Sequence, residues 1–299
     1  MTRILLLLLV LLAGPVAAQT SAPTSSATPQ TVFQSDRIVV ETRGQGPDVI
    51  LIPGLASTSE VWRRTADRLD DRYRVHLISI RGFGDVPVAA NAQGEIIGPV
   101  AGEVRRYMAA QRMNRPAVIG HSMGGLIALR MASDAPAQVG RVMVVDAAPF
   151  FPALISSGAT VGDVEPLARI AYQALMFLGD DALRQQGSAI GSQLGGAADS
   201  LFNSMGWQGG NRAVLAQSLY EVMTTDLRHR LPSITAPVSV VYGWSPDDAS
   251  PRAHVDGLFR ASYANLRSPV RFERIEGAEH MVMLDRPTAF YAALDRFLE

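Results

Sequence analysis

The chain has 299 residues, is 47% hydrophobic and carries a formal net charge of -1. Such near-neutrality provides no footprint for nucleic acid or acidic membranes. All 27 basic residues are arginine and there is no cysteine, which excludes Schiff-base lysines, Walker-type phosphate loops, disulfides, thiol catalysis and Cys-ligated metals.

Arg3 precedes an unbroken apolar run at residues 4–12, then Gly14, Pro15 and the small residues Val16-Ala17-Ala18. Charge, apolar run and small residues in that order predict a signal peptide over residues 1–18, cut before Gln19. The run is too short for a bilayer core that needs about 20 apolar residues. The expectation is export to the periplasm or medium, with no stable membrane anchor after cleavage. Residues 19–31, "QTSAPTSSATPQT", are small, polar and proline-bearing, and predict a flexible tether. One domain follows over residues 32–299.

"RIVVETRGQGPDVILIPG" predicts two strands as a hairpin around a turn at Gly44 to Pro47. "VWRRTADRLDDR" has helical spacing, "YRVHLISI" is a strand and "EIIGPVAGEVRRYMAAQ" a helix. Strand residues 117–120, helix 123–135 and strand 142–145 come next. A strand resumes at residues 238–242, followed by a helix near residues 252–264, the strand "VRFERIEG" and the helix "PTAFYAALDRFLE". Apolar strands alternating with helices predict an α/β fold with a mostly parallel sheet and helices on both faces.

Between Asp146 and Pro237 no strand pattern occurs, and the stretch far exceeds a simple crossover. Helical patterns at residues 164–178, 181–190 and 212–227 predict an inserted helical cap over about residues 147–236. Met176, Phe177, Leu178, Phe202, Met205 and Trp207 are expected mostly in the cap core, with a few facing a pocket.

The chemistry centres on "GHSMGG", residues 120–125. Glycines at 120 and 124 flank Ser122 between a strand and a helix, where bulk would clash in a sharp turn. Ligands of parallel sheets sit beyond the C-terminal strand ends, so Ser122 is the candidate nucleophile. A serine hydroxyl needs a base. His121, beside Ser122, is expected to pack or line the pocket. His76, His229 and His254 read as structural or surface residues. His280, in "GAEHMVMLDRP" between the last strand and the last helix, is the candidate base. The imidazole needs an acid. Asp247 in "VVYGWSPDDASP" is favoured, with Asp248 beside it and Asp146, at an earlier strand end, as the rival. Oxyanion donors are expected from the backbone N–H groups of Met123 and Leu55, with Gly54 permitting the turn and Pro53 unable to donate.

"LIPGLASTSEVW", "GHSMGG", "VVYGWSPDDASP" and "GAEHMVMLDRP" together resemble the oxyanion loop, elbow, acid loop and histidine loop of the α/β-hydrolase superfamily, in order. The resemblance covers nearly everything from Val32 onward. It implies an eight-stranded, mostly parallel sheet, a cap after the sixth strand, a Ser–His–Asp triad and no cofactor. The chain has Pro53-Gly54 where members often have His-Gly, and Asp247 stands one residue later than their usual acid. Serine at the elbow departs from the haloalkane dehalogenases and epoxide hydrolases, which use Asp there.

The expected function is hydrolysis of a small carboxylic ester or related acyl compound through an acyl-enzyme. A carbon–carbon bond hydrolase, an amidase and a cofactor-free perhydrolase share that triad. A non-catalytic binding protein of the same fold is the alternative from another class.

Overall fold

The structure, a computed structural model, describes residues 31–177, 208–246 and 250–299. The expected signal peptide, the tether before Thr31, the helix at residues 181–190, and Leu178, Phe202, Met205, Trp207, Asp247 and Asp248 lie outside them.

Eight strands form a single sheet: β1 (Thr31–Gln34), β2 (Ile38–Arg43), β3 (Asp48–Ile52), β4 (Arg74–Ile80), β5 (Ala117–His121), β6 (Arg141–Val145), β7 (Val238–Trp244) and β8 (Val270–Glu276). Their order is β1-β2-β4-β3-β5-β6-β7-β8. The first two pairings, β1·β2 and β2·β4, are antiparallel, and every later one is parallel. The expected hairpin between β2 and β3 does not form. β4 lies between them, and the hairpin partner of β2 is β1. Thr31, expected to close the tether, instead opens β1.

The helices are α1 (Arg63–Leu69), α2 (Ile97–Ala110), α3 (Met123–Asp134), α4 (Val161–Phe177), α5 (Arg212–Thr224), α6 (Arg252–Ser262), the short α7 (Val282–Asp285) and α8 (Pro287–Leu298). Central strands are apolar on both faces because helices cover both. Ile50, Ile52, Val118, Val142 and Val144 face one core with α2 and α3. The alternating residues Val49, Leu51, Ile119, Met143 and Val145 face the other, with Trp62, Leu69, Phe290 and Leu294. Period-two alternation splits one strand between two cores. On α2, residues 97, 100, 101, 104 and 108 are buried, the stripe of a helix packed on a sheet.

The helical insertion follows β6. Its described helices α4 and α5 pack together, with Tyr172 and Tyr220 edge-to-face at 6.2 Å. Asn211 caps α5 by accepting from the N–H groups of Ala213 and Val214. The buried face of α4 is Ala168, Ala171 and Leu175. Phe177, expected in the cap core or its pocket, is 91% exposed, since the helical period turns it away from that face.

Glu221 of α5 anchors the insertion. Its carboxylate accepts from the backbone N–H of Ile96 at 2.7 Å and of Ile97 at 2.8 Å, and from the Gln217 amide at 2.8 Å. A side chain 124 residues distant thus satisfies N–H groups at the start of α2, which have no intrahelical acceptor. Burial pushes this carboxyl above its ordinary range, against the pull of those three donors.

Candidate active site

Strands β5, β6, β7 and β8 lie side by side, and Ser122, Asp146 and His280 follow the ends of β5, β6 and β8. Ser122 comes directly after β5, with φ 54° and ψ -122°. A positive φ in a non-glycine residue is strained, and neighbouring glycines make it possible. A Cβ on Gly120 would lie 2.0 Å from the Gly124 carbonyl oxygen, and one on Gly124 would lie 2.4 Å from that of Ile52. No side chain fits at either position, so the turn closes tightly and raises Ser122 at its apex. Ser122 N–H donates to the Val145 carbonyl at 2.9 Å, which fastens the elbow to the end of β6.

Asp146 is the next residue along β6, and it too has a positive φ, 47°. Asp and Asn tolerate this region better than most residues. Its N–H donates to Val241 O at 2.7 Å. One carboxylate oxygen accepts from Gly243 N–H at 3.1 Å, and the other from His280 Nδ1 at 2.7 Å. Of the three acids weighed above, the rival Asp146 is seated on the imidazole, while the favoured Asp247 and its neighbour Asp248 lie outside the described residues. The physical reason is strand order: β6 lies between β5 and β7, so its end reaches the elbow on one side and the histidine loop on the other. An Nδ1–H has one direction in which to donate, and it points at Asp146.

His280 is brought to this edge by its own loop. Glu279 N–H donates to Asp285 Oδ2 at 2.8 Å. Burial raises the Asp285 carboxyl pKa, with the Glu279 N–H opposing. From the other side, His121 Nε2 donates to the His280 carbonyl at 2.9 Å, and the two rings lie 4.6 Å apart. A carbonyl only accepts, so Nε2 carries the proton and Nδ1 is bare. That Nδ1 is buried with no partner. His121 is fully buried, and burial, then the neighbouring His280, hold its pKa well below the ordinary value. It stays neutral beside the candidate base and packs, as expected, while its tie to the histidine loop could not be foreseen from its position. His229 and His254 are exposed, and His76 is buried at the opposite edge of the sheet.

The loop after β3 lies against the elbow. A Cβ on Gly54 would sit 3.0 Å from both Ser122 Cβ and His121 Nδ1. Leu55 follows, half-buried, and Ala56 adopts φ 57°. Met123 is the first residue of α3, so its N–H has no intrahelical acceptor and lies at the positive end of the helix dipole. Behind Asp146, the Tyr263 hydroxyl donates to the Ala147 carbonyl at 2.9 Å. Burial, with the nearby Asp146, pushes that phenol well above its ordinary value and keeps it a donor. Neither Tyr263 nor Asp285 carries a local signal that would mark it in the sequence. Among the described residues no group of three His, Cys, Asp or Glu could hold a metal ion, and no helix is long and apolar enough to cross a membrane.

Comparison with known proteins matches the sequence and the fold to a family. The model of the alpha/beta hydrolase family matches residues 49–294. A pimeloyl-[acyl-carrier protein] methyl ester esterase of Aeromonas hydrophila is 28% identical, over 87% of this chain and 99% of its own length. One from Edwardsiella ictaluri is 29% identical, over 84% of this chain and 93% of its own length. Among solved structures, a hydrolase from Pseudomonas aeruginosa superposes with a TM-score of 0.66 at 22% identity, covering 91% of this chain and 99% of that one. The family model spans the sheet from β3 to β8, the elbow and the histidine loop together, and the chain belongs to the alpha/beta hydrolase family.

Proposed function

We propose that this protein is an exported serine esterase acting on small carboxylic esters, with Ser122 as nucleophile, His280 as base and Asp146 as acid. The observation that carries the reading is the 2.7 Å bond from His280 Nδ1 to Asp146 at the strand edge where Ser122 is held at φ 54°. With Nδ1–H donating to the carboxylate, Nε2 keeps the lone pair that a base needs. His280 takes the Ser122 proton as Oγ attacks the ester carbonyl. The N–H groups of Leu55 and Met123 stabilise the tetrahedral oxyanion. His280 returns the proton to the departing alcohol, leaving an acyl-serine. Water, deprotonated by the same nitrogen, then releases the acid and restores Ser122. Asp146 holds the ring in one tautomer and stabilises the imidazolium.

The activity for which the relatives are named, methyl ester hydrolysis, supports a small alcohol as leaving group. The amino-terminal pattern supports export, and N-terminal sequencing of exported protein, expected to begin at Gln19, tests it. A retained N-terminus on membranes overturns it.

The function is tested with a fluorophosphonate probe and a panel of methyl and 4-nitrophenyl esters. Wild type is expected to label and to turn over; Ser122→Ala is expected to do neither. Labelling of Ser122→Ala equal to wild type refutes the nucleophile, and an inert wild type favours a binding protein of the same fold.

A further inference from the structure

The insertion after β6 does more than stand beside the site, because its returning end grips the loop that carries Leu55. Residues 208–211 run back along residues 82–84. Gly84 N–H donates to the Gly209 carbonyl at 3.0 Å, Asn211 N–H to that of Gly82 at 2.7 Å, and Phe83 bridges Gly210. At the head of this segment, Gln208 makes three bonds to the oxyanion loop. Its backbone N–H donates to the Ala56 carbonyl at 2.7 Å. Its side-chain Oε1 accepts from Thr58 N–H at 2.6 Å and from Thr58 Oγ at 2.7 Å. An N–H only donates, so the atom facing Thr58 must be the amide oxygen, and the orientation of the Gln208 amide is fixed by chemistry.

The gripped loop requires a hold. Ala56 sits at φ 57° without being glycine, a conformation that persists only where surrounding contacts over-determine it. Gln208 supplies contacts at the strained residue's own carbonyl and at Thr58 two residues on. The Leu55 N–H lies in the Gly54–Leu55 peptide, two peptide planes before the gripped Ala56 carbonyl, so the hold reaches it through the backbone dihedrals of Leu55 and Ala56.

We propose that Gln208 is a positioning residue for the oxyanion site: it fixes the 55–58 loop so that the Leu55 N–H meets the developing charge, and it couples the placement of the insertion to the chemical step. The proposal rests on the assignment of Leu55 as an oxyanion donor. Oxyanion donors act on the transition state more than on the bound ester. Loosening one therefore lowers kcat and leaves KM. Loss of folded protein also lowers apparent kcat at constant KM, but it leaves the affinity of the remaining sites for a transition-state analogue unchanged, so that affinity separates the two.

The test compares wild type with Gln208→Met, which keeps length without the amide, with Thr58→Val and with the double variant. Turnover of 4-nitrophenyl acetate is read alongside inhibition by phenylboronic acid, whose tetrahedral serine adduct places an oxygen where the oxyanion forms. Gln208→Met is expected to lower kcat about tenfold or more, since small misplacements of catalytic groups can cost up to about 10²-fold. KM should stay within about twofold, boronate affinity should fall in proportion to kcat, and the melting temperature should hold. Thr58→Val should have a smaller effect, and the double variant should fall no further than Gln208→Met, because the two side chains share one contact. Unchanged kcat in Gln208→Met overturns the proposal, as does a fall in kcat with boronate affinity intact. Ser122→Ala separates the two readings. If wild type turns over by way of Ser122 and Gln208→Met matches it, only the Gln208 assignment fails. If turnover does not depend on Ser122, the triad and this proposal fail together.

Discussion

Among the described residues, two histidine–aspartate pairs of similar length stand at opposite edges of the sheet. At the C-terminal strand ends, His280 meets Asp146 at 2.7 Å. At the N-terminal ends, His76 meets Asp48 at 2.9 Å. The second pair has company on every side. Asp48 also accepts from Arg74 at 2.6 Å, and His76 Nδ1 lies 2.8 Å from the Tyr107 hydroxyl, itself 3.1 Å from Thr42 Oγ. Both nitrogens of His76 are spent, and the ring is fully buried. The His280 side chain is 29% exposed and bonds Asp146 through Nδ1. A histidine–aspartate bond alone is therefore no sign of catalysis. Partial exposure, at the strand edge that also carries the strained Ser122, is what separates the first pair from the second.

The comparison breaks most visibly at the acids. Asp146→Asn is expected to lower ester turnover by about 10⁴, the loss seen when an Asn holds the wrong tautomer in a triad, with little change in melting temperature. Asp247→Asn is expected to stay near wild type, measured in the same initial-rate assay. A collapse at Asp247 with Asp146→Asn active would return the acid to the β7 loop.

Asp48→Asn should give the opposite pattern. It weakens a largely buried network, at about 1–3 kcal/mol, which lowers the melting temperature by several degrees at about 2–4 °C per kcal/mol. The turnover of folded protein should be unchanged. Lost turnover without lost stability would mean that the two edges communicate.

Acid sharpens the contrast further. Burial holds the pKa of His76 below its ordinary value, against the Asp48 bond, and that of His121 well below it. In the unfolded chain both protonate near pH 6.5. The unfolded state therefore binds more protons below that pH, and stability falls as pH drops from about 6.5 towards the folded values. The slope is at most about 1.4 kcal/mol per pH unit for each ring. Asp48 is raised by burial but held lower overall by its bonds to Arg74 and His76, so its contribution is lost only at pH values below about 3.9. Urea denaturation at pH 7.5, 6.5 and 5.5 reads the slope. A flat profile would mean that neither histidine is buried neutral.

The smallest expected effect is at Tyr263→Phe. Losing one hydroxyl bond to the Ala147 carbonyl, worth about 1 kcal/mol, should let the strained Asp146 turn relax and lower kcat about threefold to tenfold. Stopped-flow measurement of acylation would show it. An unchanged rate would mean that β6 holds Asp146 without help.

Much of the site was legible because its signals are local. Gly120, Gly124 and Ser122 form a turn whose steric demand is written in six consecutive residues, and His280 lies between a clear strand and a clear helix. Asp146 was visible as a rival but not preferred. Its claim depends on β6 lying between β5 and β7, a neighbour relation that no stretch of sequence states. β1 was missed for a related reason: "TVFQ" is too short to show a period, and it is a strand because β2 offers it an edge. The contacts of Gln208, Tyr263 and Glu221 join residues far apart in the chain, and Gln and Glu side chains are found mostly on surfaces.

The reach of Glu221 into the start of α2 bears on how far this insertion is a separable module. Exchanging it for the corresponding segment of a relative would seem a natural route to new specificity. Unless the donor segment brings an acceptor to the same point, the chimera leaves the N–H groups of Ile96 and Ile97 buried and unsatisfied, at about 1–3 kcal/mol each. A grafted insertion here must carry its own anchor, or the host helix must be given a capping residue to stand without one.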